Sequence, residues 1–364
     1  MKIQITETMR PFSHLPGASA LLPKSLWKVT AFPALLVLQG PCGEKITICL
    51  QLAEKMSAFV LFLDLMRGEI EMSGRVGAEF LRLIVKVEEK KICLEVKKAP
   101  KNGVACRLKT QVSTTLAPDS QLFSGQKFYF IVDLPDFPCR SLERLSLGVH
   151  KKQDIDLIRR RGDLKEILPL WFLLSQWLSF PPTDRREGIA LLLGSCEEKK
   201  DKENIMGMKK DLHLLWESGF SSLFVPRLVD ESHLGPFEEY TPSSRASAFV
   251  LVSDGAKIIR SLFFEQKANE LHLLPHLLPS FISGRLTNIQ CDSLGLLDME
   301  WRGKMPRRVS FSARKTAKLQ LIAPKEIKTF RMRRSMQDRG SRVANGATLS
   351  VEEKNCYFFD RFEK

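Results

Sequence analysis

Hydrophobic and polar residues alternate through the first part of the chain. The clearest case is residues 80–87 (FLRLIVKV), where leucine, isoleucine and valine are interleaved with arginine and lysine. Alternation with a period of two is typical of β-strands that bury one face. Short apolar runs recur from Ser25 to Val149, separated by turn signals such as residues 101–103 (KNG). This pattern predicts an N-terminal antiparallel β-sandwich over residues 1–150.

The spacing of apolar residues becomes helical after Lys152. Residues 154–180 place isoleucine, leucine and tryptophan at intervals of three and four, until two consecutive prolines end the pattern. Residues 209–225 form a second helical stretch, and a third follows Asp254, a candidate helix N-cap. We therefore predict a helical segment over residues 151–267.

Strand-like alternation returns at Glu270. Residues 308–312 (RVSFS) alternate polar and apolar positions, as a sheet with one solvated face requires, and they lie in a predicted small C-terminal β-domain over residues 268–324. Beyond Pro324 the chain is polar and basic, so we predict a basic, partly disordered tail over residues 325–364. The predicted fold class is α+β multidomain: an N-terminal antiparallel β-sandwich, a short helical segment and a small C-terminal β-domain.

The positive charge of the chain is concentrated in one window. The 364 residues include 56 Lys and Arg against 42 Asp and Glu, a formal excess of +14. Residues 302–342 contain fourteen Lys and Arg against two acidic residues, an excess of +12 in this window alone. Such a stretch attracts nucleic acid or an anionic membrane surface, although a solubilising tail or strands with a positive solvated face would look the same. The candidate anion-binding residues are Lys325, Lys328, Arg331, Arg333 and Arg334.

The eight cysteines are scattered and include no C-x-x-C motif. Several, such as Cys49 and Cys93, lie in strand-like apolar runs, where a free thiol acts as a small hydrophobic group. The ligand spacing of a zinc site is absent, so we predict no metal and no cofactor. No secretory signal pattern is present, and no apolar run approaches the roughly 20 residues of a membrane-spanning helix. We therefore predict a cytoplasmic protein without a transmembrane segment.

Several short segments in the same order point to one family. Residues 270–279 (ELHLLPHLLP) resemble the I-x-L-L-P-A-L-P segment of fucosidase-type glycoside hydrolases of family 95, the six-hairpin class. Residues 254–256 (DGA) with residues 258–266 resemble the last barrel helix of that family, and residues 298–304 (DMEWRGK) resemble its V-D-x-x-W-K-D-G-K segment. Residues 62–68 (FLDLMRG) are similar to a strand of its N-terminal β-domain.

The resemblance implies two β-domains around a helical barrel that holds the catalytic centre. A barrel of twelve helices, at about eleven residues per helix plus loops, needs more than roughly 200 residues. Residues 151–267 provide only 117. The resemblance therefore implies a truncated barrel, and we expect a reduced, non-catalytic relative with a carbohydrate-binding or interaction role.

Two alternatives stay open, so the sequence leaves open whether this chain is an enzyme. An active glycoside hydrolase needs two carboxyl groups across the scissile bond, and a loop before the last predicted helix offers Asp230, Glu231, Glu238 and Glu239. None of these positions matches a catalytic motif of the family. Trp301, between charged neighbours, is a candidate substrate-binding residue that would stack on a sugar, with burial in the core as the other interpretation. The second alternative is an anion-binding or nucleic-acid-binding module that uses residues 302–342.

Overall fold

The computed structural model describes residues 3–137, 141–179, 185–230, 243, 246–335 and 337–364. In this part of the chain, strands come first, five helices follow in the middle third, and strands return to the C-terminus. Antiparallel pairing dominates, as the alternating patterns predict. The chain is therefore a β-rich protein with a helical layer between two groups of sheets.

Thirteen strands precede the first helix in the described residues. In chain order they are β1 (Phe12–Ser13), β2 (Ala18–Leu21), β3 (Lys28–Phe32), β4 (Leu35–Gln39), β5 (Lys45–Gln51), β6 (Met56–Asp64), β7 (Glu69–Val76), β8 (Glu79–Glu88), β9 (Lys91–Lys98), β10 (Val104–Thr110), β11 (Asp119–Leu122), β12 (Lys127–Phe130) and β13 (Arg144–Ser146). The first twelve form two six-stranded sheets. Sheet A has the spatial order β1-β6-β7-β8-β9-β12, and sheet B has the order β11-β10-β5-β4-β3-β2.

Alternation along the strands explains why these two sheets pack together. Leu81, Leu83 and Val85 of β8 are buried in the same core as Ile46 and Ile48 of β5. The residues between them in sequence point to the other side of sheet A, because successive side chains of a strand face opposite ways. The result is a sandwich-like N-terminal domain whose sheet A has a charged outer face.

The helical layer contains α1 (Ile155–Arg161), α2 (Leu164–Gln176), α3 (Leu191–Asp201), α4 (Ile205–Gly219) and α5 (Phe249–Phe263), with a short pair of strands, β14 (Phe220–Ser221) and β15 (Val225–Pro226), between the last two. Side chains of Asp154 and Asp163 accept hydrogen bonds from backbone amides at the starts of α1 and α2 and so define where these helices begin. Helices α2 and α5 pack directly, since the Trp171 indole donates to the Leu251 carbonyl at 3.2 Å.

The third predicted helix begins earlier than Asp254. Helix α5 starts at Phe249, so Asp254 lies inside it and does not cap it. Its carboxylate instead pairs with Arg186 at 3.1 Å and with Lys257 at 2.8 Å. The apolar residues before Asp254, including Val250, are buried and extend the helical stripe toward the N-terminus.

Ten strands follow α5 in the described residues. They are β16 (Phe264–Lys267), β17 (Glu270–Leu273), β18 (Ser283–Cys291), β19 (Gly295–Arg302), β20 (Met305–Ala313), β21 (Ala317–Ile322), β22 (Thr329–Arg333), β23 (Ser341–Ala344), β24 (Thr348–Val351) and β25 (Cys356–Glu363). Sheet C has the order β13-β18-β19-β20-β25-β22-β23, and sheet D has the order β16-β17-β21-β24.

The segment predicted as a partly disordered tail, residues 325–364, is part of this fold. Strand β25 pairs with both β20 and β22 and so lies inside sheet C. Phe330, Tyr357 and Phe359 are buried, because apolar residues alternate with the charged ones along these strands. The high density of arginine obscures this period-two pattern in the sequence, and the described residues of this segment include the strands β22 to β25.

Strand β13 and the N-terminal segment both contact sheet C. Strand β13, which falls inside the predicted N-terminal domain, pairs with β18 and belongs to sheet C. The segment before β1 lies against the same sheet, where Arg285 donates to the Gln4 carbonyl at 3.2 Å and Arg144 donates to the Glu7 carbonyl at 2.8 Å. The N-terminal segment therefore links the first domain to the last.

Candidate functional site

Among the four candidate catalytic carboxylates, Asp230 lies within the described residues, whereas Glu231, Glu238 and Glu239 lie outside them. The side chain of Asp230 is 1% exposed, and its carboxylate lies 3.5 Å from the Arg227 guanidinium. Arg227 also donates to the Ser218 carbonyl at 2.8 Å. Among the described residues, the Asp230 carboxylate is thus buried after β15 and ion-paired with Arg227.

Trp301 lies in the core of the C-terminal domain. Its side chain is fully buried, its indole donates to the Phe281 carbonyl at 3.1 Å, and its ring centroid is 5.2 Å from that of Phe263. A Cβ at Gly284 would lie 2.3 Å from the Trp301 ring, so the adjacent strand approaches the indole as closely as glycine permits. The structure therefore places Trp301 away from any surface where a sugar could stack.

The five candidate anion-binding residues divide into two groups. Arg331 and Arg333 both pair with Asp360, at 2.7 and 2.5 Å, and the hydrogen bond from Arg331 is the main reason that the pKa of Asp360 is lowered. The other three, Lys325, Lys328 and Arg334, are exposed. Part of the positive charge counted in the sequence is therefore neutralised within sheet C.

A cleft lined by polar side chains lies at one end of the N-terminal sandwich. Its volume is about 760 Å³, which is within the range of small-molecule sites. Its walls are formed by three turns, β5–β6, β7–β8 and β9–β10, and by the end of β11. We call it the loop-end cleft, and its polar lining residues are Gln51, Glu54, Glu79, Lys101, Asn102 and Gln121.

The walls of the loop-end cleft are held together by hydrogen bonds between its turns. Both carboxylate oxygens of Glu79 accept from the Lys101 amide at 3.2 Å, which joins the β7–β8 turn to the β9–β10 turn. Gln121 donates from its side chain to the Asn102 carbonyl at 2.5 Å. Because these contacts cross between turns, they fix the spacing of the polar side chains around the cleft.

An aromatic ring lies beside the loop-end cleft. Phe123 is 43% exposed, and its ring would be 2.9 Å from a Cβ at Gly103, which lines the cleft. Gly103 has a φ of +72°, so the turn itself requires glycine and the missing side chain lets the ring approach. The polar lining of the cleft therefore has an exposed aromatic side chain next to it.

The sequence patterns did not identify this cleft. Its polar residues come from four separate segments, and among them only residues 101–103 carry a sequence signal, that of a turn. A turn signal predicts where the chain reverses but not which other turns lie beside it. Pairing of β5 with β10 and of β10 with β11 brings these segments together.

Other chemistry is limited in the described part of the chain. No group of three or more potential metal ligands is close enough to hold an ion there. Seven cysteines are free thiols, and burial raises the pKa of both Cys196 and Cys291 to about 12, so these two are protonated at neutral pH. None of the described helices has the length and apolar character needed to cross a bilayer.

A scan of the sequence against protein-family models gives no match, and a search of curated proteins finds no relative. The resemblance to six-hairpin glycoside hydrolases therefore stays a prediction from short motifs.

Proposed function

We propose that this protein is a reduced, non-catalytic relative of the six-hairpin glycoside hydrolases that binds carbohydrate in the loop-end cleft. The observation that carries the proposal is a space of about 760 Å³ lined by six polar side chains, with the exposed Phe123 beside its lining residue Gly103. Sugars present hydroxyl groups that both donate and accept, and amide and carboxylate side chains can meet both needs. Aromatic rings cover the apolar faces of sugar rings, which is the contact Phe123 offers.

The helical layer supports a non-catalytic role. Glycoside hydrolysis by two carboxyl groups requires that both face the scissile bond, about 5–9.5 Å apart. Asp230, the candidate in the described residues, is 1% exposed and lies 3.5 Å from the Arg227 guanidinium. Five helices are described between the two β-domains, far fewer than a barrel of twelve requires.

The test is binding of the full chain to an array of neutral oligosaccharides, followed by calorimetric titration of the ligands retained. Phe123→Ala and Gln121→Ala should each weaken binding about tenfold, a loss of about 1.4 kcal/mol. Phe32→Ala and Gln4→Ala are matched controls, because Phe32 is 37% exposed and packs beside Gly17, and Gln4 is exposed in the segment before β1. Both controls should bind as the wild type does.

Two results would contradict the proposal. One is retention of no oligosaccharide, or binding that the cleft variants leave unchanged. The other is release of reducing sugar from a retained oligosaccharide by the wild-type protein, which would favour an active hydrolase.

A further inference from the structure

Sheet C ends at β23, and no other described strand pairs with its far side. On the near side it pairs with β22 over four residues, from Ser341 to Ala344. Three of these four residues are exposed. An edge of this kind presents backbone amide and carbonyl groups to which another strand can be added.

The backbone directions identify the groups that face outward. The Asn345 amide donates to the Lys328 carbonyl at 2.8 Å, so it points toward β22. Because successive peptide groups of a strand point to opposite sides, the amides of Ala344 and Arg342 point away from β22. The Ala344 carbonyl accepts from Ala347 at 3.1 Å. The Ala344 amide, the Arg342 amide and the Arg342 carbonyl are thus placed to bond an added strand.

Three exposed arginines lie along this edge, together with Asp338, whose carboxylate accepts from the Arg334 amide at 3.0 Å. The side chains of Arg334 and Arg342 are 66% and 70% exposed, and Arg339 is exposed between them in sequence. Arg342 pairs with Glu363 at 2.5 Å and Arg334 with Glu352 at 3.5 Å, and these carboxylates are themselves about half exposed. Exposed pairs of this kind contribute little stability, so a partner's carboxylates can compete for the arginines.

We propose that the β23 edge binds a segment of a partner protein as an added strand, and that this segment is acidic. The open amides and carbonyl provide the backbone hydrogen bonds, and Arg334, Arg339 and Arg342 select the charge. A second copy of this chain is a poor occupant, because pairing two β23 edges would bring their arginines together. The proposal is independent of carbohydrate binding, since the loop-end cleft lies on the other β-domain.

The probe is a fluorescent eight-residue peptide of alternating Glu and Val, with blocked ends, titrated into the full chain and followed by anisotropy. We expect saturable binding, and about tenfold weaker binding of a peptide that alternates Lys and Val. An alternating Glu and Val peptide with every backbone amide N-methylated should also bind about tenfold more weakly, because it cannot donate a backbone hydrogen bond along either edge. This comparison uses the wild-type protein and so does not depend on the folding of a variant.

Two substitutions test the two parts of the proposal separately. Ala344→Pro removes the outward amide without touching an inward hydrogen bond, and proline is tolerated at such edge positions; it should weaken binding of the Glu and Val peptide about tenfold. Arg342→Glu should weaken it at least as much. Lys109→Glu, the same charge change at an exposed position on β10, is the control and should have no effect.

Nucleic acid offers charge but no strand to pair. If a short DNA duplex binds, and if Arg342→Glu abolishes this while Ala344→Pro and N-methylation of the peptide change nothing, the site is a general anion surface and the proposal is wrong. Absence of saturable binding by the acidic peptide would also overturn it.

Discussion

The outer faces of sheet A and sheet C each carry one carboxylate that is bridged by two arginines, but the two carboxylates differ in burial. On sheet A, the Glu71 carboxylate pairs with the guanidinium groups of Arg10, at 2.6 Å, and Arg82, at 2.5 Å. On sheet C, Asp360 receives two arginines at similar distances. The carboxylate side chain is 6% exposed in the first case and 17% exposed in the second. In both, a short acidic side chain lies beneath two longer basic ones.

The contributors to the two carboxylate sites also differ. Glu71 is bridged by residues from two places, Arg82 on the neighbouring β8 and Arg10 from the segment before β1, 61 positions away in sequence. Asp360 is bridged by Arg331 and Arg333, which are two positions apart on β22 and so lie on the same face of the sheet. The carboxylate on sheet A therefore links distant segments, whereas the one on sheet C reinforces a pair of strands that backbone hydrogen bonds already join.

This comparison shows that a count of basic residues does not measure free positive charge. Residues 302–342 carry nearly the whole formal excess of positive charge. Two of their arginines, Arg331 and Arg333, are nevertheless paired with the carboxylate of Asp360, which lies outside that window. What decides the energetic role of each charge is the burial of its partner, since a buried carboxylate left without a cation costs far more than an exposed one.

The largest effect is expected from Glu71→Gln. This change leaves Arg10 and Arg82 facing a neutral amide in a nearly buried position, and it should lower the free energy of unfolding by about 2 kcal/mol. The measurement is urea denaturation at neutral pH. Glu69→Gln on the same strand is the matched control, because Glu69 has similar burial but a single weak pair with Arg67 at 3.7 Å. Equal losses in the two variants would show that the bridging of Glu71 has no special role.

A smaller loss is expected from Asp360→Asn. Asp360 is more exposed than Glu71, at 17% against 6%, so the free energy of unfolding should fall by about 1.5 kcal/mol. Glu363→Gln on the same strand is the control, since Glu363 is 52% exposed and should contribute almost nothing. If Asp360→Asn destabilised the protein more than Glu71→Gln, burial of the carboxylate would not be the deciding variable.

The sequence predicted the sheets better than it predicted their charged faces. Alternation at residues 80–87 is sufficient to predict a strand. The polarity of each residue indicates which face of the strand it occupies, and this needs no knowledge of distant partners. The partner of Arg331 is 29 positions away, at Asp360, and no local pattern identifies it. The same limit applies to the loop-end cleft, whose residues meet through strand pairing, and to Trp301, whose charged neighbours indicated a surface although its own ring is buried.

The acid sensitivity of sheet A should come partly from Glu88. The hydrogen bond from Lys86 is the main reason that the pKa of Glu88 is lowered from 4.5 to about 2. A lowered pKa means that folding favours the ionised carboxylate, so this stability is present above pH 4.5 and is lost as the pH falls toward 2. Because Glu88 is 28% exposed, the loss should be about 1 kcal/mol.

The measurement for Glu88 is the difference in unfolding free energy between the wild type and Glu88→Gln at several pH values from 5 to 2. The difference should shrink across this interval, because the variant has no carboxylate to protonate at this position. A difference that stays constant with pH would mean that the Lys86–Glu88 pair does not couple folding to protonation.

The smallest effect is expected from Arg82→Gln, and it distinguishes a shared carboxylate from two independent ion pairs. Arg10 remains on Glu71 in this variant, so the free energy of unfolding should fall by only about 0.5 kcal/mol. In a Glu71→Gln background the same change should cost nothing, because the arginine has already lost its carboxylate. A double-mutant cycle followed by urea denaturation measures this coupling. If Arg82→Gln costs the same in both backgrounds, then Arg82 stabilises the sheet through its packing on β8, and the parallel between the two outer faces fails.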